Sequence, residues 1–369
     1  MEIRSSGGFA RTGVGEHSHY TRSMLQRDLD AIVAEGAVGV VAEVVTGQGR
    51  MVARSGVADT ATGAPVPFGA HFRIGSNTKT FVAVVALQLV AEGRLRLDDT
   101  VQRWLPGLLT GNGYDPDAIR LRDLLQHTSG VAEYMPHERF QAVFNQDGGL
   151  LHRFTPADLV GYALDQPVAF TPGSRWGYSN TNYIIAGMVI ERVTGRPWGD
   201  EVTERVIRPL GLRETVVPHG PELPDPHAVG YYWDAESGRF EDVTTIDPSF
   251  GDAAGSMIST VRDLGVFWRA VGRGELLPPA QVAQMRTTVP MNDPNRTIGV
   301  YGLGIGSAAL SRGSVFWAHH GGLPGYSTRN AVSDDGRSSV VISVTGHEKS
   351  DQINVLSDQI IDRALCSGR

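Results

Sequence analysis

The first ordered pattern of apolar positions runs from Leu25 to Ala34, at helical spacing. The next is of a different kind. Val38-Gly39-Val40-Val41-Ala42-Glu43-Val44-Val45 is a β-branched run, and Met51 to Val57 follows across Gly47-Gln48-Gly49, which reads as a hairpin. Asn77 to Glu92 predicts a helix whose apolar residues are nearly continuous (Phe81, Val82, Val84, Val85, Leu87, Leu89, Val90). A helix with almost no polar face is buried on most sides, and Gly93 supplies its end.

From about Thr100 to Gly255 short helical segments alternate with loops marked by Gly, Pro, Asn and Asp; Leu121 to His127, Pro156 to Leu164 and Thr181 to Thr194 are examples. After Gly255 a helix (Val261 to Val271) leads to three predicted strands, at 314–318, 328–333 and 338–345, and a closing helix from Gln352 to Leu365. Strands near both ends with helices between them predict an α/β protein of the α+β type. One antiparallel sheet is built from both chain ends and flanked by helices, with an inserted, mainly helical subdomain. The expected division is a disordered tail over 1–22, rich in Gly, Ser and His, an α/β subdomain over 23–99 plus 256–369, and a helical subdomain over 100–255. A cleft between such subdomains is a usual place for a site.

Composition narrows the function classes. The chain has 369 residues, 41% hydrophobic and 20% charged, which is ordinary for a globular protein. A net charge of −7 without a basic cluster argues against nucleic acid as a partner. No run approaches 18 consecutive apolar residues, so no membrane partner is expected. The N-terminus lacks the apolar core of a signal peptide, and the single Cys366 excludes an intramolecular disulfide. Both features fit the cytoplasm, although a secreted protein trimmed of its leader would look similar. The eleven histidines show no zinc-ligand spacing, so neither metal nor cofactor is expected.

Charge carries one further signal. Of 33 basic residues only Lys79 and Lys349 are lysines. Arginine cannot give up its proton in a protein, whereas a buried lysine can. Lys79 lies three residues after Ser76, close to one helical turn. Ser76 at a helix N-terminus would favour a developing anion, and burial would depress the Lys79 pKa until its amine could take the Ser76 proton. A serine three residues before a lysine also arises by chance. Tyr178-Ser179-Asn180 opens a predicted helix; it offers a phenol and an amide for catalysis, or merely a turn in which Asn180 or Thr181 caps the helix. His319-His320-Gly321-Gly322-Leu323-Pro324-Gly325 lies between predicted strands. It could present the Leu323 N–H to an oxyanion, or be a glycine-rich hairpin connection.

Taken together, Ser76-x-x-Lys79, Tyr178-x-Asn180 and His320-x-Gly322, spaced 102 and 142 residues apart, resemble the three motifs of the serine β-lactamase and penicillin-binding protein superfamily. Phe72-Arg73-Ile74-Gly75-Ser76, Gln126-His127-Thr128-Ser129-Gly130 and Gly177 to Tyr183 are similar to the branch that holds class C β-lactamases, D-alanyl-D-alanine carboxypeptidases, esterases, amidases and transacylases. The resemblance covers the chain from about Leu25 to the end and implies the β-lactamase/transpeptidase-like fold.

It also implies roles. Ser76 would be the nucleophile and Lys79 its base. Tyr178, hydrogen-bonded to Lys79 and near His320, would carry the proton to the leaving group. The backbone N–H groups of Ser76 and Leu323 would form the oxyanion hole, worth about 3–4 kcal/mol per donor. Asn180, Gly321 and Gly322 would bind the substrate. His127 would be structural; His17 and His19 would be idle, and Lys349 solvated. Carboxypeptidases of this branch bind a free carboxylate with hydroxyls and a basic residue. Here those places hold Gly321 and Leu323, and Tyr301 to Ser307 contains no arginine, with Arg312 and Arg329 as possible substitutes of unknown direction. An uncompensated carboxylate in a partly dry cleft is costly.

The expectation is therefore a serine acyl-transfer enzyme acting on a small-molecule or peptide-like ester or amide, with water, an amine or an alcohol as acceptor. A carboxypeptidase is the alternative. A non-catalytic ligand-binding or penicillin-sensing module is a remote third, since a pure binder has no need of the base.

Overall fold

One antiparallel sheet of nine described strands joins the two ends of the chain. The computed structural model describes residues 19–235, 237–293, 297–347 and 350–367. Most of the expected tail, with His17, and the expected solvated Lys349 lie outside these residues. Tyr20 does not behave as a tail residue: it is buried and donates to Asp28 at 2.5 Å. His19 is exposed and contacts Gln48.

In chain order the strands are β1 (Gly39–Thr46), β2 (Gly49–Gly56), β3 (Phe72–Arg73), β4 (Tyr231–Asp234), β5 (Arg239–Asp242), β6 (Ile258–Ser259), β7 (Val289–Pro290), β8 (Val300–Tyr301), β9 (Gly306–Ala309), β10 (Val315–Ala318), β11 (Gly321–Leu323), β12 (Tyr326–Ser333) and β13 (Ser339–Thr345). The main sheet runs β2-β1-β13-β12-β10-β9-β8-β7, and β11 pairs with β12. The N-terminal hairpin is fastened to the C-terminal strands by β1 on β13, from Gly39 opposite Thr345 to Val45 opposite Ser339.

The period of two decides how this sheet is covered. Val40, Ala42 and Val44 of β1, with Val340, Ile342 and Val344 of β13, face the helices Arg22–Ala34 and Ser350–Ser367 through Leu25, Leu29, Ile353 and Ile361. Val41, Val332 and Val341 face the opposite way, into the larger core around Phe81, Phe267 and Trp268. Both faces are covered, so β13 is buried at every position. Its sequence therefore reads as a β-branched run without polar alternation. Each such valine or isoleucine contributes about 1.5–3 kcal/mol on leaving water.

The helix Thr78–Ala91 runs through the larger core, with eleven of its 14 residues buried. Phe81 stacks on Phe267 at 3.5 Å between ring centroids. Between β3 and β6 the chain forms helices that include Leu121–Gln126, Pro156–Leu164, Thr181–Thr194 and Asp252–Gly255, plus the hairpin β4–β5. That hairpin and the strands β7 to β9 were not anticipated. Tyr231-Tyr232-Trp233 before Gly238 is the signal for the hairpin, but β7 and β8 have only two residues each, too few to show a period.

Candidate active site

Ser76 does not sit in the α-helix. It occupies a 3₁₀ turn, Gly75–Asn77, and the helix proper begins at Thr78. The turn is forced by Gly75, whose φ of +52° is a left-handed value that glycine adopts without cost. A Cβ on Gly75 would also lie 2.6 Å from the Gly322 nitrogen, and one on Gly321 would lie 2.0 Å from the Ile74 carbonyl oxygen. Strand β11 therefore lies directly on the turn that carries Ser76, and neither contact survives a side chain. Asn77 locks the turn, donating to the Ile74 carbonyl at 3.2 Å and accepting from Trp268 Nε1 at 2.9 Å.

Lys79 is fully buried. Its Nζ donates to Asn180 Oδ1 at 2.7 Å, to the Ala254 carbonyl at 2.7 Å and to Ser76 Oγ at 3.0 Å. Asn180 Oδ1 and the Ala254 carbonyl can only accept, so they fix two of the three N–H bonds. The third direction of the nitrogen faces Ser76 Oγ, where an ammonium donates and a neutral amine presents its lone pair. The Tyr178 hydroxyl donates to the same Ser76 Oγ at 2.8 Å, and Lys79 Nζ lies 5.0 Å from the Tyr178 ring centroid. Two side chains, brought from positions 79 and 178, thus converge on the hydroxyl oxygen of Ser76.

Asn180 stands at the N-cap position of the helix Thr181–Thr194, but its side chain makes no capping bond. The plain capping alternative fails because the amide is spent elsewhere: Oδ1 on Lys79 and Nδ2 on Glu133 Oε2 at 3.0 Å. Glu133 went unnoticed in the sequence, since a lone acid in a loop carries no periodic or motif signal. It also accepts from the Asn180 N–H at 2.6 Å and from the Met135 N–H at 3.0 Å. Burial pushes its carboxyl upward, opposed by those N–H groups and the charge of Lys79.

His320 and Gly322 line a cleft of about 500 Å³ together with Ser76, Tyr178, Arg329 and Asn354. Leu323 closes β11, opposite Tyr326, so the segment is a hairpin connection as well as a cleft wall. Of the two arginines left open by the sequence, Arg312 donates to the Cys366 carbonyl at 3.3 Å. Arg329 reaches the cleft: it hydrogen-bonds His320 Nδ1, donates to Asn354 Oδ1 at 3.2 Å and pairs with Asp358 at 3.5 Å. The cleft does contain a guanidinium, and it is already neutralised by a buried acid. Among the described residues no cluster of three His, Cys, Asp or Glu side chains is placed to hold a metal ion, and no helix is long and apolar enough to cross a membrane.

The carbonyl that holds Lys79 belongs to the short helix Asp252–Gly255, whose first residue is unusual. Asp252 has φ +35°, is half-buried, and accepts from Trp198 Nε1 at 2.9 Å. Burial pushes its carboxyl up from 3.8 to about 6, with Glu191 adding to the rise and the Trp198 and Ala253 N–H groups opposing it. Between those two values the folded chain binds the proton and the unfolded chain does not. Stability therefore falls as pH rises from about 4 to about 6, by an amount on the order of 3 kcal/mol. Asp252→Asn keeps an oxygen for Trp198 and tolerates positive φ. It is expected to flatten that decline, read as the denaturant midpoint at pH 4.5 and pH 7; an unchanged difference between the two midpoints would refute the assignment.

The sequence profile of the Beta-lactamase family matches residues 25–362. The chain is 29% identical over 291 residues to penicillin-binding protein 4* of Bacillus subtilis, covering 74% of this chain and 60% of that protein. It is 37% identical over 187 residues to esterase EstB of Burkholderia gladioli, covering 48% and 46%. The chain thus spans about half to three fifths of the length of these two curated relatives. A crystal structure of a D-stereospecific amidohydrolase from Streptomyces sp. superposes with a TM-score of 0.84 at 40% identity, over 91% of this chain and 98% of that one.

Proposed function

Because this chain belongs to the Beta-lactamase family, we propose that it is a serine acyl-transfer hydrolase that opens amide or ester bonds through an acyl-enzyme on Ser76. The observation that carries this reading is the position of Ser76 Oγ, within hydrogen-bond distance of both Lys79 Nζ and the Tyr178 hydroxyl. Ser76 Oγ attacks the substrate carbonyl carbon and its proton passes to Lys79. The carbonyl oxygen, now an anion, is held by the backbone N–H groups of Ser76 and Leu323. When the C–N or C–O bond breaks, Tyr178 protonates the departing group and is reprotonated from Lys79. Water, or another amine or alcohol, then attacks the acyl-Ser76 ester; Tyr178 takes its proton while passing its own to the now neutral Lys79, and Lys79 returns a proton to Ser76 Oγ as the serine is released.

Two charged side chains, Arg329 in the cleft wall and Glu133 behind Asn180, bear on the substrate class. Arg329 is neutralised by Asp358, so the leaving-group side suits a neutral amine or alcohol better than a free carboxylate. On the other side of Lys79, Glu133 brings a carboxylate within two hydrogen bonds of the lysine, by way of Asn180. A substrate with a free ammonium matches that charge. With the likeness to a D-stereospecific amidohydrolase, this favours amides of D-amino acids with an unblocked amino group.

The test is a panel of D- and L-amino-acid amides, their N-acetyl forms, p-nitrophenyl esters and acyl-D-Ala-D-Ala. The D-amides are expected to be cleaved at least about tenfold faster than the L-amides. Glu133→Gln is expected to raise KM for free-amine substrates by about tenfold while sparing N-acetyl ones, in line with a loss of about 1.4 kcal/mol. Arg329 gives the carboxypeptidase reading its one specific support. D-alanine release from acyl-D-Ala-D-Ala faster than amide cleavage would establish that reading instead.

A further inference from the structure

We propose that His127 is the positioning residue for Tyr178, acting as a neutral imidazole with an unprotonated Nδ1. The inference rests on the reading of Tyr178 as the proton carrier. His127 ends the helix Leu121–Gln126 in a left-handed conformation, φ 60°, a position where a non-glycine residue is uncommon, and it is fully buried. From there it grips the backbone on both sides of Tyr178. Its carbonyl accepts from the Gly177 N–H at 2.9 Å, and its Nδ1 accepts from the Ser179 N–H at 3.3 Å. Its ring lies against the phenol ring, with centroids 4.4 Å apart. One residue thus fixes the segment before Tyr178, the segment after it and the ring itself.

The tautomer follows from a chain of donors. The Val131 N–H donates to Ser129 Oγ at 3.0 Å, so the Ser129 hydroxyl directs its proton to Asn182 Oδ1, 2.5 Å away. With its oxygen so occupied, Asn182 turns Nδ2 toward His127 Nδ1, at 3.1 Å. Two donors, the Ser179 N–H and Asn182 Nδ2, converge on Nδ1, which must therefore be the acceptor nitrogen. Protonating it would place a third hydrogen where two already point, and a charge against the Tyr178 ring. The motif 126–130 is in this way a mould for the loop 177–179, which explains why a histidine that touches no reacting atom sits beside the site.

Three variants separate the ring from the acceptor. His127→Phe keeps an aromatic ring and loses the acceptor; His127→Asn keeps an oxygen near the Nδ1 place and tolerates the left-handed backbone; Tyr178→Phe removes the group being positioned. His127→Phe is expected to lower kcat for the best amide substrate by about 10- to 100-fold with KM within about threefold. His127→Asn should recover at least tenfold of that loss. In the Tyr178→Phe background His127→Phe should cost little more, because the two act as a unit.

A wild-type kcat for His127→Phe, no recovery by asparagine, or an undiminished loss in the Tyr178→Phe background overturns the proposal. If Tyr178→Phe itself turns over like the wild type, it is the reading of the site that fails. Should His127→Phe not fold, nitrogen-15 NMR of the wild type decides, with His127→Asn assigning the signal. A neutral imidazole protonated on Nε2 between pH 6 and 8 supports the assignment, and protonation on Nδ1 overturns it.

Discussion

Ser76→Ala is expected to lower turnover by about 10⁴- to 10⁶-fold and to abolish covalent labelling by a fluorophosphonate or a fluorescent penicillin. The size of the effect follows from what is left behind. Alanine keeps the backbone N–H at position 76 and leaves Lys79, Tyr178 and the cleft in place, so substrate still binds and its carbonyl oxygen is still polarised. No atom remains that can form the acyl-enzyme. Ser76 Oγ accepts from the Tyr178 hydroxyl and from Lys79 Nζ, so its removal also strands two donors, at a modest further cost to stability. Labelling of the wild type and the variant to the same extent would remove Ser76 from the mechanism.

Lys79→Arg is expected to cost about 10³-fold in kcat. Arginine holds its proton at any pH at which the protein is folded. It is also too long and too broad for a space built around one nitrogen. The Lys79 ammonium is surrounded by three acceptors at 2.7–3.0 Å, and a planar guanidinium cannot point its donors at all three. Lys79→Met, which matches the length without the charge, separates the two effects. It should be as inactive as the arginine variant but no less soluble or folded, since a buried charge has been replaced by an apolar chain. Turnover within tenfold of the wild type for either variant would exclude Lys79 as the base.

The candidate site was legible in the sequence because the proposed chemistry depends on rare pairings. A lysine kept where 31 other basic residues are arginine, a tyrosine two residues before an asparagine, and a histidine before two glycines stand out against composition. The long elements were legible for a related reason: 14 consecutive helical positions, as in Thr78–Ala91 and Thr181–Thr194, make a mainly apolar stretch too long for a single strand. What the sequence missed or left open has a common cause. Glu133 sits in a loop and gains its meaning only through Asn180 and Met135. Arg329 is one alternating position of a strand, and its direction is set by sheet register and by the final helix, which supplies Asn354 and Asp358. Asn180 looks locally like a helix cap, and a lysine 101 residues earlier overrules that role. Long-range partners, not local preference, decide each of these.

The pairing of β1 with β13 has a consequence for how the protein comes into being. Gly39 meets Thr345, and Gly75 meets Gly322, so a growing chain emerging from the ribosome carries Ser76, the proposed nucleophile, long before it carries the wall that faces it. The helix Thr78–Ala91, apolar over nearly its whole surface, has to wait for more than two hundred further residues before its covering is complete. Contacts so distant in sequence make for slow assembly and a period of exposure to aggregation and to chaperones. Under the proposed mechanism a chain that stops before β11 lacks the Leu323 N–H and the wall facing Ser76, so acyl transfer would report that synthesis had passed β11.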